Sequence, residues 1–371
     1  NGIITANVLS FAGLTAQAAG TSTVNMQAAF EYVGATGSGT ITGSAGDDTL
    51  LGDTGESTNI DGGAGDDTIT GGSAAETISG GAGDDTINGG GGADTINGND
   101  GDDGITLGGG TESVDAGAGD DTVTAAANLT FGTTIVGGDG TDILSTNAAV
   151  SAANGSVVSG FETLTLASAG TTDLDNFGNN TFTTVTSGAL GAQVVQSVRS
   201  EVVTLDGIAT GTLTVTMEDA TGTADTVALA VSGDADLTQT LDIVVADVET
   251  INLTSTDTDD TTAHTHTVFL DADSATTLNV SGNTATVIAA GSGDLLDVIT
   301  MNASGLVLAA VTDAGITYVS DYTTVGGVST ITGSNGVDSL TGNANTSDTI
   351  SGGAGVDTIV YVGGSDTFTG G

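Results

Sequence analysis

Aliphatic side chains recur at every ninth position between residues 62 and 124: Ile69, Ile78, Ile87, Ile96, Ile105, Val114 and Val123. Each is flanked by small or polar residues. The local pattern therefore predicts a three-residue strand whose middle side chain points inward and whose neighbours point out. Glycine, alanine and aspartate fill the intervals. The stretch divides without a gap into seven nine-residue units, beginning at Gly62, Gly71, Gly80, Gly89, Gly98, Leu107 and Ala116. Composition alone would suggest a flexible linker. The fixed period predicts stacked coils instead, two units to a coil, with like turns recurring every eighteen residues.

The clearest unit reads Gly80-Gly81-Ala82-Gly83-Asp84-Asp85-Thr86-Ile87-Asn88, the pattern GGxGxDxUx with U aliphatic. Its glycines permit tight turns with positive φ and bring backbone carbonyls inward. Its sixth residue adds a carboxylate. Carbonyl and carboxylate oxygens are the hard ligands that Ca²⁺ prefers. With two units per coil, Asp67, Asp85, Asp103 and Asp121 should stack in one column, and Glu76, Asp94 and Glu112 in the opposite one. Paired strands lie about 4.8 Å apart. Two carboxylates at that spacing repel by about 0.9 kcal/mol in water and about 3.5 kcal/mol at an effective dielectric of 20. Each unit buries one main aliphatic side chain, a thin core, so cations are expected to be part of the folding free energy. The second column has two glutamates, and Ala74 where a turn glycine is expected, so weaker binding is expected there.

Further units supply further candidate ligands. Asp48 lies in 43–51, and Asp142 in 137–145, which resumes the phase after an insertion at 125–136. Asp338, Asp348, Asp357 and Asp366 lie in the units and variants between 333 and 371. Asp225 ends Gly222-Thr223-Ala224-Asp225, which reads equally as a repeat tail and as a plain turn.

From 146 to 332 the pattern changes to period two, as in Gly211-Thr212-Leu213-Thr214-Val215-Thr216-Met217, which predicts strands. An internal echo links Phe161-Glu162-Thr163-Leu164-Thr165-Leu166 with Val248-Glu249-Thr250-Ile251-Asn252-Leu253. The expected organisation is a β-rich lead-in (1–42), a calcium β-roll (43–145), a Thr/Val-rich β region (146–332) and a second, truncated roll (333–371). In the lead-in, Val24, Met26, Phe30, Tyr32 and Val33 fit strands or one short helix. The fold class is all-β, with parallel β-roll blocks flanking a β-solenoid or stacked sheets.

The chain of 371 residues has a formal charge of −46, one arginine (Arg199), and no lysine, cysteine or proline. Such a charge excludes nucleic acid as a partner. It also opposes contact with anionic lipid unless divalent cations bridge. The lack of cysteine fits an exported protein stapled by metal rather than by disulfides. No signal peptide or membrane-spanning run is present. The start at Asn1 and the end at Gly370-Gly371, which resembles the opening of another unit, lead us to expect a piece of a longer protein.

The nonapeptides resemble the RTX (hemolysin-type) calcium-binding repeat. A finer resemblance runs through the second half: Ala220-Thr221-Gly222-Thr223-Ala224-Asp225, then Val248–Leu253 with Asp257-Thr258-Asp259 and Thr262-Ala263-His264, then 333–371 ending Ser365-Asp366-Thr367-Phe368-Thr369-Gly370-Gly371. These segments look like the lattice-forming part of the Caulobacter-type surface-layer protein. That resemblance implies type I export, a need for calcium, a non-enzymatic role and a hexameric array on the cell surface. It also implies attachment to lipopolysaccharide through a region not in this chain. The repeat block is longer and less interrupted here than in that family. The alternative is the calcium-dependent β-roll module of a secreted RTX adhesin or hydrolase.

Catalytic chemistry has little support. The two histidines, His264 and His266, would share one face of a strand. Without a cysteine or a third histidine the pair reads as solvated strand rather than a transition-metal site. Outward Thr68, Thr86 and Thr122, and Thr77 and Thr95, form rows of the kind that bind ice. Interrupted by Gly104 and Ser113, they read as an ordinary solvated face.

Overall fold

The computed structural model describes residues 22–25, 31–33, 39–52, 55, 57–125, 132–146, 158–177, 180–188, 192–199, 202–206, 210–218, 224–233, 237–258, 264–290, 298–310, 312–320, 329–344 and 347–371. Among these residues the regular structure is strand apart from one 3₁₀ turn at Leu174–Phe177, and the fold is a parallel β-solenoid. Among the described residues no helix is long and apolar enough to cross a membrane. The chain forms two compact units. One comprises residues 1–166 with 175–182, the other 167–174 with 183–371.

In the first unit, alternate strands fall into two parallel sheets. One runs Ser22–Asn25, Gly39–Thr42, Thr58–Ala64, Thr77–Ala82, Thr95–Asp100, Ser113–Ala118, Thr134–Asp139 and Val158–Ser159. The other contains Glu31–Val33, Thr49–Leu51, Thr68–Thr70, Thr86–Asn88, Gly104–Leu107, Thr122–Ala125, Ile143–Thr146 and Thr163–Leu166. The lead-in therefore holds strands over its described residues; Met26 and Phe30 lie outside them.

Register places like on like. Ile69 pairs with Ile87, Ile87 with Ile105, Ile105 with Val123, and Val123 with Leu144. Opposite them Ile60, Ile78, Ile96, Val114 and Ile135 form the matching row. All are at most 2 % exposed. Two facing rows of aliphatics thus make up most of the apolar interior of these coils, with Leu107, Ala116 and Ala125 added at their edges.

The second unit repeats the plan with longer strands over residues 210–306 and returns to three-residue strands such as Thr330–Thr332 and Thr349–Ser351. Thr226–Gly233, Thr250–Asp257 and Leu237–Ala246 have 8, 8 and 10 residues. A strand of that length turns several side chains inward. Val227, Leu229 and Val231 are all at most 1 % exposed. Here the alternating pattern resolves into parallel solenoid coils rather than separately stacked sheets.

Ile87 is fully buried and Thr86 exposed. Ile87→Ala should lower stability by about 2–5 kcal/mol, and Thr86→Ala by no more than about 0.5 kcal/mol. Urea unfolding in saturating calcium measures both. Equal effects would contradict the register.

Candidate metal centre

The sixth residue of each unit is where backbone and side chain meet across coils. Asp48, Asp67, Asp85, Asp103, Asp121 and Asp142 form one column, and all are at most 2 % exposed. Each backbone N–H donates to the carboxylate one coil further on. Asp48 donates to Asp67 Oδ1 (2.7 Å), Asp67 to Asp85 Oδ1 (2.7 Å), Asp85 to Asp103 Oδ1 (2.8 Å) and Asp103 to Asp121 Oδ1 (2.8 Å). Asp121 donates to Asp142 Oδ1 (2.9 Å), and Asp142 to Glu162 Oε2 (2.8 Å). The opposite column runs from Glu76 to Asp94 Oδ1 (2.8 Å), then from Asp94 to Glu112 Oε2 (3.0 Å). It ends in a long contact from Glu112 N–H to Thr133 Oγ1 (3.4 Å).

Each carboxylate that accepts in these ladders thereby uses one oxygen. The other, Oδ2 of Asp67, Asp85, Asp94, Asp103, Asp121 and Asp142, is buried without a hydrogen-bond partner. The glycine turns crowd further oxygens around it. A Cβ on Gly62, Gly80 or Gly98 would lie 2.3, 2.3 and 2.2 Å from Oδ2 of Asp67, Asp85 and Asp103 respectively. The same three Cβ positions would lie 2.4, 2.7 and 2.1 Å from the carbonyl oxygens of Gly80, Gly98 and Ala116 respectively. A buried carboxylate oxygen with no donor is costly. A hard cation supplies the missing partner, and the mix of one carboxylate per coil with turn carbonyls suits Ca²⁺. Among the described residues no three His, Cys, Asp or Glu side chains form a cluster. The donors are spread along columns instead.

The residue at position two decides whether Oδ2 is left over. Gly63, Gly81, Asn99, Gly117 and Gly138, and Gly90 in the opposite column, take positive φ. The aspartate Oδ2 of each of these units has no partner, and neither has that of Asp225; Gly353 also takes positive φ, in the unit of the half-buried Asp357. Ser44, Ser334 and Asn343 occupy the same position without positive φ. Their N–H groups donate to Oδ2 of Asp48 (2.5 Å), Asp338 (2.8 Å) and Asp348 (2.7 Å). The Ser334 and Ser329 hydroxyls add bonds to Oδ1 of Asp338 (2.6 Å) and Asp348 (2.5 Å). Of the remaining candidates, Asp357 and Asp366 are half-buried and accept the N–H groups of Asp338 (3.1 Å) and Asp348 (2.9 Å). Asp225 donates its N–H to Glu249 Oε2 (2.9 Å) and keeps a buried, unpartnered Oδ2.

A second ladder escaped the sequence reading. Exposed acids at position five bond in the reverse sense: Asp66 N–H donates back to Asp47 Oδ1 (3.0 Å), Asp84 to Asp66 (2.9 Å), Asp102 to Asp84 (2.9 Å) and Asp120 to Asp102 (2.8 Å). The doublets Asp66-Asp67, Asp84-Asp85, Asp102-Asp103 and Asp120-Asp121 were its signal. The opposite column has Ala75, Ala93 and Thr111 at this position. It therefore carries one acid per turn where the first carries two.

The histidines also differ from the sequence reading. His266 is wholly buried, with Nδ1 2.9 Å from Ser255 Oγ, and His264 Nδ1 lies 3.0 Å from Asp257 Oδ2. His266 is an interior packing partner, and His264 is half-buried beside Asp257, so the pair is not simply solvated strand.

The family model of the RTX calcium-binding nonapeptide repeat (four copies) matches residues 33–56, 42–75, 54–87, 70–105, 106–127, 324–359 and 332–368. The two glycine-rich blocks are RTX repeats. They bind calcium, and the columns have places for several ions. No curated protein matches the chain. The RTX matches leave 128–323 uncovered, although the coils there continue.

Burial sets the proton affinity of the metal-free columns. It pushes Asp103 up to about 7, and Asp67 and Asp121 up to about 6, from an ordinary 3.8. The N–H received from the neighbouring coil opposes the rise, and adjacent carboxylates add to it. Asp85, Asp94, Glu112, Asp142 and Asp338 move the same way, again chiefly through burial. A carboxyl with a raised native pKa favours the fold at low pH, and that contribution is lost as pH rises through the native value. Calcium-stripped protein should therefore gain β signal in circular dichroism as pH falls from 8 to 5. Calcium affinity should weaken over the same window, because protons compete for the same oxygens. A metal-free β signal independent of pH would contradict this account.

The position-two rule makes a separate prediction. Asp85→Asn should remove bound calcium, whereas Asp338→Asn should leave the calcium count unchanged. Equilibrium dialysis measures both, and equal losses would sink the distinction.

Proposed function

We propose that this chain is the lattice-forming part of a surface-layer protein, non-enzymatic, which folds and then self-assembles at the cell surface as calcium binds. One observation carries the reading. At position five, where the first block presents its exposed aspartates, the second block presents Val337 and Val356, 36 % and 83 % exposed. Outward Val319 and Val360 belong to the same block of strands, at 58 % and 41 % exposure, linked in register through Thr341. Exposed apolar side chains on so acidic a chain suit contact with another protein surface.

The electrostatics fit a switch. At −46, copies repel one another. That repulsion is screened beyond about 8 Å at physiological ionic strength, and each bound Ca²⁺ removes two charges more. Identical subunits closing about an axis give rings, and rings sharing edges give sheets. The resemblance of 220–371 to a protein that tiles cell surfaces points the same way.

Millimolar Ca²⁺ should turn purified protein into rings or sheets visible by negative-stain electron microscopy, with a rise in light scattering. Val356→Asp should suppress assembly while leaving calcium-induced β signal intact. Folded rods that stay separate at high concentration would favour the module of a secreted RTX adhesin or hydrolase.

A further inference from the structure

We propose that Glu162 and Glu249 each complete a calcium site with an aspartate one coil back, Asp142 and Asp225, at coils that lack the glycine turn. The two glutamates occupy equivalent places in the echoed segments Phe161–Leu166 and Val248–Leu253. Each accepts the backbone N–H of its aspartate, at 2.8 Å for Asp142 and 2.9 Å for Asp225. This is the bond that joins successive acids along the RTX columns. In both pairs the aspartate Oδ2 is buried and has no partner, and Asp142 is 0 % exposed. A Cβ on Gly137 would lie 2.6 Å from Asp142 Oδ2 and 2.0 Å from the Gly160 carbonyl oxygen. A turn carbonyl therefore borders the space that Oδ2 faces. Both pairs lie outside the residues that the RTX model matches.

The corner itself does not require an acid. Gly160 and Asp247 take positive φ (77° and 56°), and each is followed by a buried apolar residue, Phe161 or Val248, and then the glutamate. A third corner of this form, Ser197 (φ 61°) and buried Val198, is followed by Arg199, whose guanidinium pairs with Glu218. Nor does the N–H bond require a charge, since an amide oxygen also accepts it. A second carboxylate beside a buried one only adds repulsion unless a cation lies between them.

Each glutamate is also the last acid of its run. Beyond Glu162, Asn180 bonds both Phe161 N–H (Oδ1, 2.8 Å) and the Phe161 carbonyl (Nδ2, 2.8 Å). Beyond Glu249, its carbonyl accepts the N–H groups of Thr276 and Thr277, both at 2.9 Å. The longer glutamate side chain reaches back from a coil without the repeat's turn and closes the column.

Glu162→Gln and Glu249→Gln keep the N–H acceptor and remove the charge. Each should lower the calcium bound at saturation by one ion, and the double variant by two, with circular dichroism of the calcium-loaded protein unchanged. Glu218→Gln should leave the count intact. An unchanged count in the folded variants would overturn the proposal. A readout independent of folding of the variants is a crystal structure of the unmodified chain in calcium, with anomalous scattering recorded at long wavelength. A calcium peak between Asp142 and Glu162 is expected. A peak between Asp85 and Asp103 with none beside Asp142 would overturn the proposal.

Discussion

The first unit depends on one contact: a buried aspartate that gives one oxygen to the N–H of the preceding coil and turns the other into a glycine-lined turn. The bond to Oδ1 aligns the coils. The second oxygen, with no protein donor in six of these units, is what a bare chain cannot satisfy. Removing a carboxylate from water without a counter-charge is unfavourable, and stacking several in line compounds the penalty. The same column that sets the coil spacing therefore resists folding until a cation or a proton arrives. The glycines hold this state in place. At Gly83, for instance, φ is +126°, and a side chain would run into the carbonyl of the coil beneath.

The two units solve the problem of a stable coil in different ways. The short strands of the first, such as Thr68–Thr70 and Thr86–Asn88, turn one aliphatic residue inward. Metal must supply the rest. The strands over 210–306 of the second unit lengthen, and Val227, Leu229 and Val231, or Ile251 and Leu253, fill the wider interior. At roughly 1.5–3 kcal/mol for each buried aliphatic side chain, one or two more per strand is a large gain. The position-six column then becomes neutral at Thr276, Ile299 and Ser329. Acid returns at Asp348, where protein donors already serve both oxygens.

The period of nine made the columns legible before any coordinates, because fixed spacing converts directly into stacking. It also gave the inward row, from Ile69 to Val123. Period two in the middle region was weaker guidance. It says that His264 and His266 share a face without saying which face is buried, and the structure put His266 inside. The direction of the position-five ladder was hidden because a doublet such as Asp84-Asp85 does not reveal which neighbouring coil its exposed acid bonds. Glu162 and Glu249 were hidden because their steps from the previous acid are 20 and 24 residues rather than 18, and no glycine pair announces them. Ala74 and the two glutamates set the second column apart in the sequence. That the first column bonds two acids per turn where the second bonds one needed the two ladders.

The dissimilarity of the columns restricts how such a chain can change in length. Removing one whole coil of eighteen residues sets an acid doublet over an acid doublet. Removing half a coil would set Asp84-Asp85 over Ala75-Glu76, or the reverse, and exchange a two-acid turn for a one-acid turn at every level beyond. Extra residues at a corner are another matter. The steps from Asp121 to Asp142 and from Glu112 to Thr133 are both 21 residues, yet both ladders bridge them. Length in this architecture is therefore counted in full turns, with slack permitted only at the corners. Descendants of a common ancestor would differ by integers of a coil rather than by arbitrary insertions.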